Sequence, residues 1–148
     1  MRYQERYGSC GAGMIVNICR AYGQIVSEAR VRALARTDVN GTDEPGVMAA
    51  LRALGYTATQ FTEASSAKAW LLLHGAVRRG KAVGIAVDND KHWVACVASL
   101  GERIAVVDSA WERANKFENG IHFLDRRQLM ERWVRQDGYY GIVAGKGK

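Results

Sequence analysis

The sequence contains three cysteines, Cys10, Cys19 and Cys96, and three histidines, His74, His92 and His122. A cysteine attacks as its thiolate, so a reactive one needs surroundings that favour negative charge. Cys10 stands in Tyr-Gly-Ser-Cys-Gly-Ala-Gly, immediately before a predicted helix. Unpaired backbone N–H groups and the helix dipole stabilise an anion at such a position. Gly8, Gly11 and Gly13 keep bulky side chains off the backbone beside it. Cys19 falls on the apolar face of the same helix and Cys96 inside an apolar strand, and both read as small buried hydrophobes.

A thiolate also needs a base, and the base needs an orienting partner. His92 opens a strand in Lys-His-Trp-Val-Ala-Cys-Val, and Asp108 closes the following strand in Ile-Ala-Val-Val-Asp-Ser-Ala, 16 residues on. In an antiparallel hairpin the start of one strand faces the end of the next, so Asp108 is placed to fix the tautomer of His92. The same aspartate also fits a turn cap before Ser109. His74 lies inside a predicted helix, and no partner is evident near His122. Together Cys10, His92 and Asp108 have the makings of a nucleophile, base and orienting acid. Gln4, in a short polar segment six residues before Cys10, fits a side-chain donor that joins the Cys10 N–H in an oxyanion hole. No Cys-x-x-Cys pair or zinc-ligand spacing is present, so neither a metal nor another cofactor is expected. Trp111 follows the aspartate turn and is a candidate wall of a substrate cleft, whereas Trp93, alternating with Ala95 and Val97, reads as core.

The elements that must position these residues divide into helices first and strands afterwards. Met14, Ile15, Ile18, Cys19 and Tyr22 make one helical face over 10–22, ended by Gly23. A second helix starts from Ser27 with Ala29, Val31, Leu34 and Ala35 inward. A third follows Thr42-Asp43, carries Pro45 in its first turn and ends at Gly55; a fourth runs from Ser66 to Arg79. Apolar strands are predicted over 82–87, 93–98 and 103–108, with turns at Asp88-Asn89-Asp90-Lys91 and Gly101-Glu102. Asp125 and Gln128 form a capping box before Leu129, Met130 and Trp133, and a last strand covers 139–144. The expected class is α+β, N-terminal helices packed on a C-terminal antiparallel sheet.

Composition bounds the rest. A chain of 148 residues, 48% apolar and 24% charged, is expected to fold as one domain over 1–148 without disulfide staples. The odd cysteine count suits a reducing compartment. The first eight residues lack the apolar core of a signal peptide, so the expected location is cytoplasmic, or that of an effector delivered without a classical signal. The net charge of +6 keeps nucleic acid in view. However, Arg126, Arg127, Arg132 and Arg135 are interleaved with Asp125, Glu131 and Asp137, which reads as a solvated helix face. Neither nucleic acid nor a membrane is expected as a partner, and oligomeric state is left open.

These residues resemble the papain-like cysteine peptidases, and most of all the double-glycine-leader peptidases that process bacteriocin precursors, together with their stand-alone relatives. The resemblance follows nearly the whole chain. Gln4 and Cys10-Gly11 match the family's oxyanion glutamine and nucleophile at the same offset. Gly41-Thr42 before Val47 to Gly55 resembles its Gly-Thr-Ser segment and third helix. Arg79 to Ile85, His92-Trp93-Val94 and Val107-Asp108 resemble the strands that carry its histidine and aspartate, and Leu129 to Trp133 the helix that follows. Ser9 and Ser109 depart from the family's usual aspartate and proline.

The resemblance implies a bacterial papain-like fold and a thiol protease cleaving a peptide or isopeptide bond of a protein or peptide substrate. It assigns catalysis to Cys10, His92, Asp108 and Gln4, and places Gly41 and Thr42 at the substrate cleft. The same acyl-thioester chemistry also serves a papain-fold amidase, deamidase or acyl-transferase effector acting on a protein target. A catalytically silent protein-binding module is the remaining alternative.

Overall fold

The computed structural model describes residues 10–38, 41–88, 92–109, 121–133 and 138–146. Among them the helices are α1 (Cys10–Ala21), α2 (Glu28–Ala35), α3 (Glu44–Ala53), α4 (Ser66–Arg78) and α5 (Arg126–Trp133). The strands are β1 (Tyr56–Glu63), β2 (Ala82–Val87), β3 (His92–Leu100), β4 (Arg103–Val107), β5 (Ile121–Leu124) and β6 (Tyr139–Lys146). They form one sheet in the order β1-β6-β2-β3-β4-β5, with every neighbouring pair antiparallel. The α+β expectation is therefore met, as is the β2–β3–β4 meander. No helix among the described residues is long and apolar enough to cross a membrane.

Local chemistry sets the helix ends where the sequence places them. Ser27 accepts from the Arg30 N–H at 3.1 Å, Asp43 from the Gly46 N–H at 2.7 Å, and Ser65 from the Lys68 N–H at 3.3 Å. Asp125 and Gln128 exchange hydrogen bonds reciprocally at 2.9 and 3.0 Å, completing the capping box. Gly23, at φ +81, ends α1 in the left-handed conformation, and the Gln24 N–H returns to the Cys19 carbonyl at 2.8 Å.

Two strands add to the expected elements, and one inward position on α2 is corrected. The stretch 56–63 is a full strand: Tyr56 and Ala58 turn inward, while polar Thr57 and Thr59 alternate with them outward. Its backbone is satisfied by β6 in an eight-residue register, a partner some eighty residues away. Strand β5, only four residues long, was likewise not anticipated. On α2, Ala29 is exposed and its helical place inward is taken by Glu28, which is buried and paired with Arg32.

Helices cover both faces of the central strands. One core joins α1, α2 and α3 to Ala82, Ala86, Trp93, Ala95 and Val107; the other joins α4 and α5 to Val83, Ile85, Val87, Val94, Cys96 and Val106. This explains why β2 is apolar at every position rather than at alternate ones. Its residues nonetheless alternate in size. Ala82, Gly84 and Ala86 face α1, and Val83, Ile85 and Val87 face α4. The small face lets α1 lie close: a Cβ on Gly84 would stand 2.7 Å from Met14 Sδ.

The start of α1 is gripped in the same way. A Cβ on Gly11 would stand 2.7 Å from Thr42 Cβ and 3.4 Å from Trp93 Cδ1. Thr42 cannot retreat easily, because its hydroxyl bonds Thr37 Oγ1 at 2.6 Å and its carbonyl accepts from Trp93 Nε1 at 3.2 Å. Gly11→Ala is therefore expected to destabilise by about 1–3 kcal/mol through overpacking, lowering Tm by about 2–4 °C per kcal/mol. Thermal unfolding of the variant beside the wild type checks this, and an unchanged Tm would contradict the contact.

Candidate active site

Cys10 is the first residue of α1, where the initial backbone N–H groups of the helix have no intrahelical acceptor. His92 is the first residue of β3, and Asp108 immediately follows β4. The pairing Ala95↔Val107 brings the end of β4 beside the start of β3. His92 Nε2 and Asp108 Oδ1 are 2.6 Å apart, with both residues buried. A carboxylate only accepts, so Nε2 carries the proton and Nδ1 is the nitrogen left to the Cys10 thiol. The three residues singled out in the sequence thus meet at one place.

Electrostatics distinguish this thiol from the other two. Burial pushes Cys10 toward the neutral form, but the hydrogen bond with His92, N–H groups of Trp93 and Gly11, and the imidazolium charge together hold its pKa below the ordinary value. Burial likewise disfavours a charged His92. The bonds to Asp108 and Cys10, and their charges, overcome that and raise it to about 9. Both shifts run in the direction that favours a thiolate beside an imidazolium. Burial instead pushes Cys19 up, and Cys96 up to about 12. Both are the buried core thiols expected from the sequence.

The remaining candidates divide. Gln4 and Trp111 lie outside the described residues, as does Arg135. Thr42 is buried against Gly11, and Gly41 is half-buried with φ +106 in a bridge to Asp38, so both border the start of α1. Trp93 is core, edge-on to Tyr140 at 6.1 Å. His74 stacks on Trp70 and meets the Gly101 carbonyl at 2.9 Å, far along the sheet from the thiol. No cluster of three or more His, Cys, Asp or Glu suited to a metal occurs among the described residues.

One residue near the site was misread from sequence. Arg132 is not on a solvated face. It is half-buried, with Nη2 at 3.1 Å from Asp88 Oδ2 and 3.6 Å from Asp108 Oδ2. Its signal was hidden by the neighbouring charges of α5, of which Arg127 and Glu131 do form an exposed pair.

The structure thus sets a thiol at a helix N-terminus beside an imidazole that a carboxylate holds, against an antiparallel sheet. The fold is that of the double-glycine-leader peptidase domains. The peptidase domain of Streptococcus ComA, a bi-functional ABC transporter involved in a quorum sensing pathway, superposes with TM-score 0.74 at 15% identity, over 98% of this chain and 96% of that one. A double glycine motif protease from an AMS/PCAT transporter, solved in complex with the leader peptide, gives 0.72 at 17% identity, over 97% and 89%. A C39-like peptidase from Bacillus anthracis gives 0.65 at 13% identity, over 99% and 94%. No protein-family model and no curated protein sequence matches the chain.

The two shifts have opposite consequences for stability. His92, raised, contributes stability that is full below its ordinary value of 6.5 and is lost as pH climbs through about 9. Cys10, lowered, contributes stability that is present above its ordinary value and lost as pH falls through its folded one. The two contributions change in opposite directions as pH rises, so where they overlap each offsets the slope of the other. Cys10→Ser leaves only the histidine, still raised by Asp108. Relative to wild type, that variant is expected to lose stability as pH rises from about 6.5. Urea midpoints of both proteins at matched pH check this; parallel curves would rule out the ion pair.

Proposed function

We propose that this protein is a cysteine peptidase that hydrolyses a peptide or isopeptide bond through Cys10, His92 and Asp108. The observation that carries the reading is geometric: a thiol at the start of α1 meets an imidazole that Asp108 holds at 2.6 Å, and the thiol shifts down and the imidazole up as that contact requires. A core histidine and a core cysteine have no need of such a pair, and Cys19 and Cys96 lack it.

In this reading the Cys10 thiolate attacks the substrate carbonyl carbon. The oxyanion that forms is held by the Cys10 N–H and the Gln4 side-chain amide. The imidazolium protonates the leaving amine from Nδ1, and an acyl-thioester remains on Cys10. Water then attacks the thioester as His92 takes its proton, releasing the acid and restoring the thiolate. Asp108 stays ionised throughout and holds Nε2–H. Gly41, Thr42 and Trp111 border the cleft, Thr42 by bracing that border with its hydroxyl and carbonyl both engaged. The leader peptide bound by a neighbour of the same fold supports an extended peptide as the substrate class.

Cleavage profiling of a peptide library tests the proposal. Wild type is expected to give defined products and Cys10→Ala none. Gln4→Ala is expected to lower the rate by about 10²–10³, the usual effect of losing one oxyanion donor. Full turnover by Cys10→Ala on any substrate of the wild type would remove Cys10 as nucleophile.

A further inference from the structure

Asp108 is completely buried, yet His92 engages only one of its oxygens. The other, Oδ2, faces the Arg132 guanidinium at 3.6 Å. Arg132 is itself fixed at two points by the residue that ends β2. Its Nε and Nη2 grip the Asp88 carboxylate side-on at 3.3 and 3.1 Å, and its backbone carbonyl accepts from the Asp88 N–H at 2.8 Å. Asp88 adopts the left-handed conformation at φ +55, which turns its N–H and carboxylate onto the same partner. Aspartate tolerates that conformation better than most residues. The last turn of α5 is thereby tied to the strand end that precedes the His92 turn.

We propose that Arg132, held by Asp88, is a positioning residue for the site: it fixes the Asp108 carboxylate so that Oδ1 stays aimed at His92 Nε2. The inference rests on the reading of Cys10, His92 and Asp108 as one chemical unit. At 3.6 Å the contact is an ion pair without a hydrogen bond, so the restraint is the attraction of Oδ2 to a guanidinium whose place is fixed by its planar fork on Asp88. It also compensates the buried negative charge, so that Asp108 does not depend on His92 alone for that purpose. Without it the carboxylate gains freedom to turn, the imidazolium loses its orienting bond, and less of Cys10 is thiolate at a given pH.

Alkylation of Cys10 by iodoacetamide reads the thiolate directly and does not require a substrate. In wild type the alkylation profile is expected to have its midpoint below that of free cysteine, and His92→Ala to move it up. Arg132→Met is expected to move it up by about one pH unit, a rate loss of about tenfold on the acid side. Arg132→Lys, which keeps the charge without the fork, is expected to recover part of that loss. Because Arg132→Met removes a half-buried cation and can fail to fold, Asp88→Asn provides a milder probe. It keeps a residue suited to positive φ, loosens only the far anchor, and is expected to shift the profile in the same direction by a smaller amount. Native circular dichroism with an unmoved profile in either Arg132→Met or Asp88→Asn would overturn the proposal while His92→Ala still upheld the ion pair. An unshifted wild-type profile would overturn the ion pair and the positioning role together.

Discussion

The close approach of α1 to the sheet is the constraint on which the site depends. A helix normally rests on a sheet about 10 Å away, with side chains filling the space between them. Here small residues clear the way on both sides of the contact. Ala82, Gly84 and Ala86 present a low surface on β2, and Gly11 presents none at the start of the helix. Larger side chains then fill what is left: Met14 over Gly84, and Thr42 over Gly11 with the Trp93 ring beside it. At its other end α1 is fixed by Tyr22, whose hydroxyl donates to the Ala144 carbonyl at 2.7 Å and accepts from the Ala82 N–H at 3.2 Å. A helix pinned at both ends cannot slide along the sheet, and its first residue is therefore set against the first residue of β3.

What that placement creates is a line of alternating charge. Cys10, His92, Asp108, Arg132 and Asp88 follow one another from α1 across the strand ends to α5, and their signs alternate once the thiol is ionised. Separating any buried charge from its partner costs far more than the pair contributes when complete. Each member therefore constrains the conformation of the next. The network also explains why the two helical layers, which belong to separate cores on opposite sides of the sheet, meet in function: each supplies one end of the line.

The three residues that meet at the candidate site were legible in the sequence because each carries a local signal. Cys10 sits at a helix start among glycines, and His92 and Asp108 sit at opposite ends of a tight meander whose register a short turn dictates. Helix caps were legible for the same reason, since Ser27, Asp43 and Asp125 bond within three residues of themselves. Features fixed by distant partners were not. Strand β1 is threonine-rich and half-exposed, and its stability comes from pairing with β6 at the far end of the chain. Arg132 is one charge among many on α5; one partner, Asp88, lies 44 residues away, and the other, Asp108, follows the end of β4.

The three cysteines make the same point chemically. Each is a thiol on a regular element, and by residue type they are equivalent. Cys96 sits wholly inside the core under α4 and α5, where burial is the largest influence, and it stays protonated well above neutral pH. Cys19 lies on the buried face of α1, where burial again outweighs its bond with Tyr56. Cys10 is also penalised by burial, but it alone is next to a cation that Asp108 keeps charged, and backbone N–H groups of Trp93 and Gly11 point at its sulfur. Nine residues separate it from Cys19 on one helix, and that distance changes the sign of the shift. The lowered thiol belongs to the meeting of a helix end with two strand ends, and the other two thiols are packing.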